Sequence, residues 1–215
     1  MRAIHRLWGY VRAFSSSKRN RVDLYAWLIR RPLILLATAW YEMSLMFSNR
    51  LDPHYKELAL LKSAGMVSCE FCLDIGSALA RYGGITEQQL RDLPVYADSD
   101  AYTELEKLVL SFAEAMTATP AVGEELTAIR DELLTHFTKG QVAELAAEVA
   151  WENQRARLNQ ALGVRATGMS DGQACVAGAP RVVALPTVPS RVADPVGPCH
   201  PGDRPAGGDA HAERR

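Results

Sequence analysis

Two cysteines three residues apart, Cys69 and Cys72 in SCEFCLDIGSALARYGG, are the side chains of this sequence best placed to do chemistry. At i and i+3 they share one face of a helix, in its first turn. There the unpaired backbone N–H groups and the positive end of the helix dipole favour a thiolate over a thiol. A thiolate attacks a peroxide or a disulfide, and a second cysteine within reach then closes an internal disulfide. Two plainer readings compete. A structural zinc site needs four ligands, and the remaining cysteines, Cys175 and Cys199, form no second pair. Two inert cysteines packed as small hydrophobes are the other.

The elements that must hold the pair are helical. Ser68 reads as the N-cap of the cysteine helix and Gly83-Gly84 as its stop. Before it, Asp52-Pro53 reads as an N-cap and first-turn proline of a helix through Glu57, Leu58, Leu61 and Lys62, ending near Gly65. The stretch from Leu33 to Phe47 is apolar but carries Thr38, Glu42 and Ser44, so it reads as a core helix and not a membrane span. Thr86 with Gln89, and Thr138 with Gln141, are capping boxes. The first opens a short helix before Pro94; the second opens a long one through Leu145, Val149, Trp151 and Leu158, closed by Gly163. Leu105, Leu108, Val109, Phe112 and Met116 make an apolar stripe between them. No run alternates as a strand would. The expected body is an all-α, compact multi-helix domain.

The chain of 215 residues is 48% hydrophobic and 23% charged with a formal net charge of −1, so nothing global points to nucleic acid. Residues 1–22 form a basic amphipathic arm with Arg2, Arg6, Arg12, Lys18, Arg19 and Arg21 and no acid. It reads as an arm docked on its own domain or a partner subunit; a helix on an anionic membrane and a transit peptide are the alternatives. Residues 23–176 make the helical domain. In 177–215 the composition turns to Pro and Gly, as of a disordered tail. No secretory signal or transmembrane segment is visible, so the expected location is cytoplasmic. In such a reducing compartment a close cysteine pair is catalytic or metal-binding more often than structural.

The segment DPHYKELALLKSAGMVSCEFCLDIGSALARYGGITEQQL, Asp52 to Leu90, resembles the carboxymuconolactone decarboxylase-like superfamily, and within it the alkylhydroperoxidase D-like branch. WENQRARLNQALGV, Trp151 to Val164, is similar to the family's closing helix. The likeness covers about residues 25–175. It implies an all-helical fold assembled into homo-oligomers, and a dithiol peroxidase or protein-disulfide reductase with an antioxidant role. It implies that Glu57, twelve residues before Cys69, starts a proton relay, that Cys72 meets the peroxide, and that Cys69 resolves. No tightly bound cofactor or metal is expected, only an external thiol donor, with a peroxiredoxin or dihydrolipoyl-type redox partner. One departure stands out. The best-studied branch has a histidine one turn after the second cysteine, and this chain has Gly76 there, which weighs against efficient peroxide turnover. His54, one turn before Glu57, is the candidate substitute. Taken alone, His54 reads as an exposed first-turn residue and Glu57 as a solvated helix-start glutamate. A lactone decarboxylase of the same superfamily and a non-catalytic helical scaffold are the alternative functions.

Overall fold

The computed structural model describes residues 23–119 and 123–170, together with Trp8 and Val11. The rest of the arm 1–22, the tail 177–215, Cys175 and Cys199 lie outside the described residues. Among the described residues there are eight α-helices, one 3-10 helix and no strand. In chain order they are α1 Asp23–Leu28, α2 Pro32–Phe47, α3 Pro53–Val67, α4 Glu70–Gly83, α5 Glu87–Asp92, the 3-10 helix Leu93–Asp98, α6 Glu104–Thr117, α7 Gly123–His136 and α8 Lys139–Ala161.

Helix α3 is the hub, and α4, α6 and α8 pack around it. Its burial is nearly continuous from Leu58 to Gly65, the mark of a helix enclosed on all sides. On one side Leu58 and Leu61 meet Ala80, Ile85, Leu90, Tyr96 and Leu110. On another, Ala59 joins Val109, Phe112, Leu133, Leu145 and Val149. Even the lysine of this helix's first turns is engulfed. Lys56 is 0% exposed and donates to Glu144 Oε1 at 2.6 Å and to the carbonyls of Ser48 (2.8 Å) and Leu45 (3.2 Å). Glu144 Oε2 in turn accepts from the Arg50 and Leu51 amides. Burial works to raise the Glu144 carboxyl, and these hydrogen bonds outweigh it and hold it low. The network ties the end of α2 to α3 and α8.

The predicted caps at Asp52, Thr86 and Thr138 are present, with both capping boxes closed. Gly84 ends α4 at φ 88°, where a side chain would be strained. Two expectations need correction. The first concerns α2, which is not a core helix. Only Leu45 is buried, while Leu33, Leu36 and Trp40 are 80%, 63% and 77% exposed. The second is the boundary between α3 and α4. α3 runs past Gly65 to Val67, and Ser68 is its left-handed C-cap at φ 57°. The N-cap of α4 is therefore Cys69 itself.

Candidate active site

Cys69 and Cys72 are joined as a disulfide, with Cα atoms 5.2 Å apart, at the start of α4. From the N-cap, the Cys69 sulfur accepts the Cys72 amide N–H at 3.2 Å, the contact a serine or aspartate makes at that position. So one sulfur is held by an N–H that the helix leaves unpaired, at the positive end of its dipole. Cys72 is held from the far end of the chain. Asn159 in the last turn of α8 donates Nδ2–H to Cys72 Sγ at 3.5 Å. Both sulfurs' residues are 1% exposed, packed with Ala64, Leu73 and Ala156. Gln160 donates to the Val67 carbonyl and fastens the end of α8 to the end of α3.

The other two predicted site residues are elsewhere. Glu57 and His54 rise from the first turns of α3, and the cysteines follow its last turn. From Glu57 to Val67 the helix climbs about 15 Å. The Glu57 carboxylate lies against Gly83, in the last turn of α4, where its Oε2 occupies the space a Cβ would take. The structure does not bring it to the pair. His54 Nε2 lies 2.5 Å from Glu106 Oε1 on α6. Burial works to raise Glu106, and His54 and Thr103 outweigh it and hold it low. His54 sits in the first turn as the plain reading expects, but it is half-buried and paired with Glu106 instead of exposed, and that pairing keeps it from standing in for the missing histidine. Gly76 is buried under α3, and a Cβ there would sit 3.0 Å from Leu61 Cδ2 and 3.4 Å from Leu60 Cδ2. No larger side chain fits without moving Leu61.

Asp74, two residues after Cys72, has a task of its own. It is 2% exposed. Its Oδ2 accepts from the amides of Thr167, Gly168 and Met169, and its Oδ1 from the amide and hydroxyl of Ser170, at 2.7–3.0 Å. This carboxylate clamps the segment after α8 onto the cysteine helix.

The groups that sequence reasoning missed lie on α8. Glu152 is 0% exposed and pairs with Arg155, which reaches Glu42 on α2 at 2.5 Å. Complete burial pushes the Glu152 carboxyl up to about 7; Arg155 opposes the rise, and Glu42 and Glu148 add to it. Beside this network a cavity of ≈ 240 Å³ opens between α1, α2 and α8, walled by Leu35, Ala39, Met43 and Leu158 with Arg155 and Asn159 as polar members. Asn159 thus touches the cavity on one side and the Cys72 sulfur on the other. Among the described residues no three His, Cys, Asp or Glu side chains converge as a metal site requires, and no helix is long and apolar enough to cross a membrane.

The model of the carboxymuconolactone decarboxylase family matches residues 32–115. YnjA of Escherichia coli (strain K12), an uncharacterized protein, is 30% identical over 137 residues, which cover 64% of this chain and 72% of YnjA. YdfG of Bacillus subtilis (strain 168), also uncharacterized, is 30% identical over 113 residues, 52% of this chain and 75% of YdfG. Two solved structures share the fold. Atu0492 of Agrobacterium tumefaciens is a protein of unknown function assigned provisionally to antioxidant defence as an AhpD. It superposes with a TM-score of 0.58 at 21% identity, over 70% of this chain and 97% of that one. The debrominase Bmp8 in its apo form gives 0.62 at 20% identity, over 70% and 80%. At those identities the two structures speak for the fold alone, and the sequence relatives carry the assignment. The cysteine pair, the helical hub beneath it and these matches together place the chain in the carboxymuconolactone decarboxylase family.

Proposed function

We propose that the protein is a dithiol oxidoreductase that reduces organic hydroperoxides with electrons from an external thiol. The observation that carries this reading is the closed Cys69–Cys72 pair at a helix start, with a hydrogen-bond donor on each sulfur. Neutral donors stabilise a thiolate more than a thiol, and here they come from the backbone and from Asn159. Cys72, as thiolate, attacks the terminal oxygen of the hydroperoxide. The O–O bond breaks, the alkoxide takes a proton and leaves as alcohol, and Cys72 is left as a sulfenic acid. The Cys69 thiol then attacks that sulfur, the disulfide forms and water leaves. Two external thiols restore the pair and become a disulfide.

Burial of both cysteines favours a small substrate over the disulfide of a folded protein. The donor is an external thiol, free or presented by a peroxiredoxin or dihydrolipoyl-type partner, and no tightly bound cofactor enters the scheme. A homo-oligomer is part of the same proposal, because α2 leaves Leu33, Leu36 and Trp40 uncovered on the single chain. A cytoplasmic location, where thiol donors are plentiful, suits this chemistry.

The test is a single turnover. The reduced protein is mixed with one equivalent of cumene hydroperoxide, and the peptide Ser68–Arg81 is weighed. Wild type is expected to lose two hydrogens, Cys69→Ser to hold a sulfenic acid on Cys72, and Cys72→Ser to be inert. A folded wild type whose pair stays reduced overturns the reading and leaves the scaffold alternative.

A further inference from the structure

A buried thiol that becomes a nucleophile must hand its proton to something, and neither Glu57 nor His54 is at the pair. Helix α8 offers another. Its innermost stripe is Leu145, Val149, Glu152, Ala156 and Asn159, each 0% exposed. The last three fall at i, i+4 and i+7, on one face. Ala156 packs with Cys69 and Cys72, and Asn159 donates to Cys72 Sγ. Glu152 therefore precedes by a single turn the residue that covers the pair. This segment lies beyond residues 32–115, which the family model matches.

The surroundings of Glu152 are those of an acid that changes charge. Its Oε2 accepts from Arg155 Nε at 2.9 Å, while Oε1 is buried without a hydrogen-bond partner. An ionised carboxylate with one bare oxygen is costly in such a place; a protonated one much less so. Three charged groups face it. Arg155 and Glu148 are on its own helix, and Glu42 comes from α2. Lys56, the buried cation that α3 directs at α8, is held by Glu144. Arg155 is shared between Glu42 and Glu152, so one cation answers two acids. The buried carboxyl stands near 7 for these reasons, in the range where a thiol at a helix start also titrates.

We propose that Glu152 and Cys72 share one proton, so that Glu152 is the internal acceptor when the reduced pair becomes the nucleophile. The exchange is Cys72–SH plus Glu152–COO⁻ giving Cys72–S⁻ plus Glu152–COOH. No bond other than S–H and O–H changes, and the buried region keeps the same net charge. When the hydroperoxide O–O bond breaks, the alkoxide draws a proton and Glu152 returns to the carboxylate on Arg155. Glu152 does not touch the sulfur. It is a positioning acid whose charge reaches the thiol along the buried face of α8, where Asn159 lies two turns on and donates to Cys72 Sγ. The inference rests on the reading of the pair as a redox couple.

The test is the pH dependence of alkylation of the reduced pair by iodoacetamide, between about pH 5 and 10. Two coupled sites titrate in two macroscopic steps. Wild type should show two inflections, one near 7. Glu152→Gln should show a single inflection and react faster than wild type only above about pH 7, because a carboxylate about two helical turns from the thiolate opposes it. Below that pH Glu152 is neutral, as Gln is, and the two rates should coincide. A constant offset at every pH would mean that Glu152 acts only on structure, and the proposal falls. Infrared spectroscopy of wild type removes the dependence on a folded variant. Raising the pH of the reduced protein through the first step should change the protonated-carboxyl C=O band, and a flat spectrum there overturns the proposal. If hydroperoxide closes the pair normally and Glu152→Gln follows the wild-type profile, the shared proton is refuted and the dithiol reading stands. If hydroperoxide never closes the pair, both fall together.

Discussion

Asp74→Asn isolates the clamp that holds the segment 167–170 on the cysteine helix. The substitution keeps shape and removes charge. The amide oxygen is best placed on the side of Oδ2, which serves the Thr167, Gly168 and Met169 amides. The NH₂ then faces the Ser170 amide, now 2.8 Å from a donor where it had an acceptor. One charge-assisted bond is lost, at about 2 kcal/mol, and one buried donor is orphaned, at about 1 kcal/mol or more, for a total near 3 kcal/mol. For a domain of this size that corresponds to a fall of roughly 6–12 °C in Tm. The pH dependence has a fixed sign. Burial works to raise the Asp74 carboxyl, and the hydrogen bonds from Ser170, Met169 and Thr167 outweigh it, so its folded value lies below the ordinary 3.8. Its stabilisation is present in full above that value and is lost as pH falls through the lower folded one. Thermal melts of wild type and variant should therefore differ most near neutrality and converge below about pH 4. A Tm loss under about 2 °C at pH 7, or a gap that widens in acid, would refute the account.

Three further outcomes are expected. Gly76→His should not restore the histidine of the family pattern, because its Cβ meets Leu61 at 3.0 Å; a loss of about 1–3 kcal/mol by chemical denaturation, with no faster peroxide turnover, is the expected result. Lys56→Met should cost about 3–5 kcal/mol in the same measurement, since it leaves the Glu144 carboxylate buried beside α3 without its cation. Asn159→Leu should slow alkylation of Cys72 at pH 7 about tenfold, the worth of one hydrogen bond to a charged acceptor, while thermal stability holds or rises.

The capping boxes and the glycine stops were legible because each depends on residues within one turn of one another. Thr86 with Gln89 and Thr138 with Gln141 needed no knowledge of the rest of the chain. The start of α4 was misplaced by one residue because Ser68 and Cys69 are adjacent cap candidates. The choice falls to the chain reversal after α3, which takes Ser68 into the left-handed region and leaves Cys69 at the cap. Glu57 misled for a related reason. Its spacing of twelve to Cys69 spans most of a helix and a turn, and periodicity within α3 says nothing about which turn of α4 lies opposite. α2 looked like a core helix because apolar content reports what a helix tends to cover, not whether one chain suffices to cover it. Asn159 is 87 positions from Cys72, beyond any local rule. A signal was nevertheless present, since Leu145, Val149 and Ala156 set a stripe on which Glu152 and Asn159 are the polar exceptions.

Those two exceptions carry the functional argument beyond the cysteines. A leucine at either position would suit the buried stripe of α8 better than a carboxyl or an amide with an unmatched oxygen. Structural need alone therefore does not account for them. Asn159 is aimed at the Cys72 sulfur, and Glu152 at the arginine that also walls the cavity. The histidine one turn after the second cysteine is absent, and a Cβ at that place would meet Leu61 Cδ2 at 3.0 Å. A hydrogen bond to the sulfur comes instead from a helix distant in sequence. On the proposed dithiol chemistry, the N-cap position of Cys69 and the polar residues of α8 set the reactivity of the pair, so variants on α8 are the ones that separate reactivity from stability.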